Sequence, residues 1–156
     1  MGPVHTYDVS VAWTGDRGEG TSDYRSYGRD HVVRAEGRPD LAGSADPTFR
    51  GDADRWNPEQ LLVAALAQCH MLWYLHLCAT NEVVVTGYED EAHGEMRTHR
   101  DGSGEFTSVT LRPRVTVAEP AMVEVAERLH AEAPQLCFIA RSVNFPVAHE
   151  PTVTAA

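Results

Sequence analysis

The hydrophobic pattern changes period several times along this chain, and the changes divide it into elements. Residues 4–13 alternate, with Val4, Thr6, Asp8 and Ser10 set against the mostly apolar His5, Tyr7, Val9 and Val11. That period of two predicts a half-buried strand. Gly15, Gly18 and Gly20 then predict a turn, followed by a second strand over residues 21–27 and a third over 31–35, together an antiparallel meander. Residues 36–56 are rich in Gly, Pro, Asp and Ser and read as one long loop. Loops of that length without structure of their own are uncommon and tend to be functional, and Phe49 and Trp56, costly to leave in water, favour a loop that docks.

At Asn57-Pro58-Glu59-Gln60 the period changes again. Asn caps a helix, Pro suits its first position, an acid in the first turn meets the positive end of the helix dipole, and Gln60 completes a capping box. The helix should run to about Ala79 and is apolar nearly all round, the mark of a helix buried on most sides. Such a helix must be covered by sheet or by a partner chain. A β-branched strand over residues 83–97, a reversal at Asp101-Gly102-Ser103-Gly104 and a strand over 106–117 predict a long hairpin. Met122, Val125, Ala126, Leu129 and Ala133 recur at helical spacing from Glu119-Pro120 until Pro134 ends the pattern, and a last strand is expected over 143–147. The order predicts an α+β fold of strand meanders packed on helices, in a single domain over residues 1–156, without a phosphate-binding glycine motif or an internal repeat.

Composition narrows the function. The net charge is −10 and all 13 basic side chains are arginine, a balance that argues against nucleic acid as a partner. No basic stretch leads into an apolar run at the N-terminus, and the longest apolar segment, 61–79, is interrupted by Gln68, His70 and His76, so neither export nor a membrane span is expected. The expected compartment is the reducing cytoplasm, where cysteine is more often catalytic, metal-binding or merely buried than part of a structural disulfide.

Three cysteines carry the candidate chemistry. Cys69 and Cys78, nine residues apart on one helix, lie on nearly opposite faces and roughly 13 Å apart along the axis, too far to bond. A pair within one chain must involve Cys137, whose place between a helix end and a following turn predicts a thiol eased toward thiolate by a helix N-terminus. The same residues fit a plainer reading, since free cysteine is among the most buried residue types and Cys69 lies among Leu66, Ala67, Leu72 and Trp73. Cys78 reads as core. The histidines His70, His76, His130 and His149 are zinc-compatible in type but poor in spacing, so no metal is expected.

Several blocks taken together resemble the OsmC/Ohr family of osmotically inducible and organic hydroperoxide resistance proteins, on its OsmC-like side. They are Trp13-Thr14-Gly15 with the following glycine turn, Asn57-Pro58-Glu59-Gln60-Leu61-Leu62 running into Ala67-Gln68-Cys69, and Cys137-Phe138-Ile139-Ala140-Arg141-Ser142-Val143. The resemblance implies an intertwined homodimer whose long central helices are wrapped by strands. It implies a thiol peroxidase for organic hydroperoxides, with Cys69 forming a sulfenic acid and Cys137 resolving it as a disulfide. It further implies re-reduction by a lipoyl-type dithiol, no bound cofactor, and an arginine that Glu59 holds near the thiol through paired hydrogen bonds. Arg50 resembles the loop arginine of OsmC-type members, and Arg17 sits where Ohr-type members carry theirs. His70 departs from the pattern, standing where Ohr-type members commonly have Phe. The competing expectation is a protein of the same fold that binds a lipid-like ligand in an apolar pocket without peroxidase activity, with Leu72, Trp73, Tyr74 and Phe138 as the lining in either case.

Overall fold

A computed structural model describes all of residues 1–156, and the backbone divides into two compact units, residues 1–61 and 62–156. In the first unit, strand β1 (Ser10–Trp13) pairs antiparallel with β2 (His31–Arg34), which pairs with β3 (Leu41–Gly43). Residues 4–9, expected within the first strand, lie outside it, and their apolar members Val4, Tyr7 and Val9 are exposed. The expected strand over 21–27 is absent because local side-chain bonds take the backbone groups that a ladder would need. The Asp16 carboxylate accepts from the Gly18 and Gly20 amides at 2.8 and 2.9 Å, and the Ser26 hydroxyl donates to the Gly20 carbonyl at 2.9 Å. Gly15 and Gly28 pack backbone on backbone, since a Cβ on Gly15 would stand 2.0 Å from the Gly28 carbonyl oxygen.

The 36–56 segment is more ordered than its composition suggests. It holds β3, a 3-10 turn at Pro47–Phe49 capped by Asp46, and a bridge in which the Ser44 amide donates to the Trp56 carbonyl at 2.8 Å. Arg50 closes the turn in the left-handed region at φ 65°, which costs a non-glycine residue about 1 kcal/mol.

Helix α1 (Pro58–Thr80) begins as expected: the Gln60 amide donates to Asn57 Oδ1 at 2.8 Å and the Asn57 amide donates to Gln60 Oε1 at 3.2 Å, a reciprocal capping box. It ends where Glu82 turns left-handed and the Val83 amide returns to the Cys78 carbonyl at 2.9 Å. Only Leu66, His70, Tyr74 and Cys78, one stripe at i, i+4, i+8 and i+12, are buried. By length and composition the helix would suffice to cross a membrane, which corrects the expectation that no segment comes near that range; its polar interruptions are uncharged and lower its hydropathy only modestly.

The second unit carries two three-stranded sheets. One runs β4 (Val85–Asp90), β7 (Pro113–Val117), β9 (Thr152–Ala155), the other β5 (His93–Thr98), β6 (Gly104–Leu111), β8 (Val147–His149). The long hairpin is real between β5 and β6 but breaks at residues 91–92 and at Arg112, where the Asp90 carboxylate accepts the Arg112 amide at 2.8 Å and the chain passes from one sheet to the other. Two pairs are parallel, β6 with β8 and β7 with β9, so the fold is not purely a set of antiparallel meanders. Helix α2 (Val123–Leu136) is the crossover such pairing needs. The single final strand expected over 143–147 is replaced by β8 and β9, since Pro146 and Pro151 have no amide to give a ladder. Pro134 lies inside α2 rather than ending it, and the Cys137 amide closes the last turn on the Ala133 carbonyl at 3.0 Å. The main core of this unit joins Tyr74 and Cys78 of α1 to Val115, Val117 and Val153 of the sheet and Ala126, Leu129 and Ala133 of α2.

Candidate active site

Two of the three cysteines meet. Cys69, half-buried on α1, and Cys137, 1% exposed just after α2, are both free thiols, and Cys69 is near enough to raise the Cys137 thiol. Burial pushes the Cys137 thiol up to about 11, the contact with Cys69 pushes the same way, and the Ala140 and Ile139 amides oppose both. The Ala140 amide donates to its sulfur at 3.4 Å. The backbone turn after α2 therefore reaches Cys137 as expected, but burial outweighs it and this thiol stays protonated at neutral pH. Cys78 is core, 1% exposed and clustered with Tyr74, and burial raises its thiol.

Beside the two thiols Trp73 and Phe138 meet edge to face at 5.4 Å, and Leu72 and Phe138 are exposed, the latter at 65%. Tyr74, expected in this lining, points into the core instead, where its hydroxyl donates to the Ala126 carbonyl at 3.0 Å.

The remaining candidates lie in the first unit. Arg17 and Arg50 line one recess of about 370 Å³, together with Arg29, Asp16, Asp30 and Asp52. Arg29 is committed: it donates to the Tyr24 and Tyr27 carbonyls and stacks on the Tyr27 ring at 3.9 Å. Neither Arg17 nor Arg50 takes part in an ion pair, and the Arg50 guanidinium stands 5.9 Å from the Tyr24 ring. Glu59 is in no ion pair either, and its Oε2 is buried with no hydrogen-bond partner. The paired hydrogen bonds expected between Glu59 and an arginine are thus not formed within this single chain.

One assembly escaped the sequence reading. His70, the departure from the family pattern beside Cys69, faces inward, and its Nε2 lies 3.1 Å from His130 Nδ1. The Tyr74 ring stacks on His130 at 3.8 Å and the His149 ring lies 4.5 Å from His70. Burial and the neighbouring imidazoles lower His70 to about 3, burial and His149 lower His130 to about 4, and burial lowers His149. The four-residue spacing of His70, Tyr74 and Cys78 was the available signal, since it puts all three on one helix face. No group of three or more His, Cys, Asp or Glu side chains is arranged to hold a metal ion.

Comparison with known proteins gives a consistent answer. Residues 51–152 match the family described as OsmC-like protein. Among solved structures, an OsmC-like protein of unknown function from Vibrio cholerae is similar at 30% identity and TM-score 0.86, over 96% of this chain and 100% of that one. An organic hydroperoxide resistance protein OsmC from Legionella pneumophila shares the fold at 18% identity and TM-score 0.68, over 97% and 99% of the two chains. An organic hydroperoxide resistance protein from Elizabethkingia anophelis does so at 16% identity and TM-score 0.65, with the same coverage. Curated proteins give no match. With its capped helix, its meeting cysteines and its α+β architecture, this chain belongs to the OsmC-like family.

Proposed function

We propose that the protein is a cysteine-based peroxidase that reduces organic hydroperoxides. The observation that carries this reading is the pairing of two free thiols of unequal access: Cys69 is open enough to be attacked and Cys137 is buried directly beside it. The Cys69 thiolate takes the distal oxygen of the hydroperoxide, the O–O bond breaks, and the alkoxide leaves as alcohol after gaining a proton. The resulting sulfenic acid condenses with Cys137 and the Cys69–Cys137 disulfide forms. Because Cys137 is held protonated, its proton leaves with the departing hydroxide as water. A lipoyl-type dithiol returns the two electrons and two protons, and the cycle suits a reducing, cytoplasmic setting.

Attack as a thiolate calls for a cation near Cys69, a role we assign to Arg50 with Glu59 as the carboxylate that orients it and Arg17 as the alternative. The unpartnered Glu59 Oε2 supports the assignment, since a buried carboxylate oxygen without a donor is costly. The Leu72, Trp73 and Phe138 surface suits the alkyl part of a substrate. The working form is a homodimer. A helix apolar all round with one buried stripe, and an N-terminal segment outside any strand with exposed Val4, Tyr7 and Val9, leave apolar surface that a second copy would cover.

Mixing the reduced protein with cumene hydroperoxide should consume peroxide and yield the Cys69–Cys137 disulfide by peptide mass spectrometry, with dihydrolipoamide restoring both thiols. Thiols inert to hydroperoxide, in a protein that retains a co-purified lipid, would replace this reading with a ligand-binding one.

A further inference from the structure

We infer that His70 and His130 are positioning residues for the redox centre: their hydrogen bond sets the axial register of α1 against α2 at which Cys69 meets Cys137. The inference rests on the disulfide reading above. A disulfide tolerates little error, since its Cα atoms must stand about 4.4–6.8 Å apart with a dihedral near 90°. Here one sulfur sits on α1 and the other on the residue that caps α2, so only non-covalent contacts hold the geometry. Most of those contacts, among Tyr74, Cys78, Ala126, Leu129 and Ala133, are apolar and non-directional.

The directional contacts are at His70 to His130, 3.1 Å, and from the Tyr74 hydroxyl to the Ala126 carbonyl, 3.0 Å. They sit where register is set. His70 follows Cys69 immediately, and His130 precedes Cys137 by seven residues, about two helical turns. Stacking of Tyr74 on His130 and the His149 ring against His70 hold both imidazoles in orientation.

The pair is a poor stabiliser by itself, which argues for a geometric role. Both imidazoles are buried, at 1% and 3% exposure, and each keeps one ring nitrogen, His70 Nδ1 and His130 Nε2, without a partner. A half-satisfied buried polar pair is less favourable than apolar side chains of the same size. What the apolar pair would lack is direction. Burial keeps the imidazoles neutral, so one nitrogen of the short contact donates and the other accepts, and the contact has a single preferred geometry.

The test is the effective concentration of the Cys69–Cys137 pair, measured on the full-length protein in glutathione buffers by alkylation and mass spectrometry. In that exchange the protein dithiol passes two electrons and two protons to glutathione disulfide, and the Cys69–Cys137 bond forms as two glutathione thiols leave. Three substitutions at His130 separate register from polarity. H130N keeps an amide where Nδ1 stands and should remain within about threefold of the wild type, whereas H130Q, with the same amide one carbon further out, and H130L should each lose about tenfold or more. Loss of effective concentration in H130L without loss of thermal stability would be the mark of positioning. Equal values for H130N and H130Q overturn the inference, and that contrast decides even if H130L fails to fold. Wild-type effective concentration in H130L overturns it as well. A wild-type protein that forms no disulfide in either glutathione or hydroperoxide removes the peroxidase reading and this inference together, whereas failure confined to the H130N, H130Q and H130L comparison leaves the reading intact.

Discussion

Cys78 and Cys137 are buried to the same degree, 1% exposed each, and burial raises both thiols, yet they stand at opposite ends of the contact between α1 and α2 and have different neighbours. Cys78 packs beside the Tyr74 side chain in the main core. Cys137 has the half-buried Cys69 close by and the Ala140 amide on its own sulfur. Burial alone therefore does not separate a structural thiol from a reactive one. On the proposed reading, what separates them is a second sulfur within reach.

The largest effect that could break the comparison is at Cys69. Cys69→Ser should abolish hydroperoxide consumption, a fall on the order of 10³ or more, because serine is not oxidised by peroxide and no other thiol takes its place. Coupled consumption of dihydrolipoamide checks this, and a serine variant that kept activity would sink the assignment. Next in size is the cation. Arg50→Ala should slow reaction of Cys69 with hydroperoxide by about 10- to 100-fold, whereas Arg17→Ala should leave it near wild type. The reverse result would hand the role to Arg17.

Acid sharpens the comparison from the side of the imidazoles. The folded values of His70 and His130, about 3 and about 4, lie below the ordinary 6.5, so between those limits the unfolded chain binds more protons than the folded one. Stability should be fully present above about pH 6.5 and decline as pH falls toward 4, by up to roughly 1.4 kcal/mol per pH unit for each imidazole. Urea unfolding at a series of pH values would show it, and H70L should flatten the decline. The smallest effect is at Cys78: Cys78→Ala should cost about 1–2 kcal/mol of stability and leave peroxide turnover unchanged. An equal loss of turnover would erase the distinction between the two ends.

What could be read in advance follows from how local each feature is. The start of α1 was legible because Asn57 and Gln60 cap each other within four residues. The exclusion of a Cys69–Cys78 bond followed from helix geometry, and the family blocks around Cys69 and Cys137 pointed to the pair that meets. The strand break at residues 91–92 was not legible, because it depends on Asp90 accepting an amide from Arg112, 22 residues later. Nor was the imidazole pair, whose members are 60 residues apart and meet only because α2 folds back along α1. The 21–27 segment was misread because Asp16 and Ser26 turn the backbone locally, and alternation of residue types does not register such bonds.

The parallel pairing of the last two strands bears on how this fold is reached. β4 with β7 and β5 with β6 can form as soon as residue 117 has been made, but each sheet gains its third strand only from residues 147–155. Until then the nascent chain presents two incomplete ribbons and an apolar helix at once, and its long-range contacts must wait for the final elements. Shortening the chain before Thr152 should therefore leave an expressed product that is captured by chaperones, even though every cysteine is present.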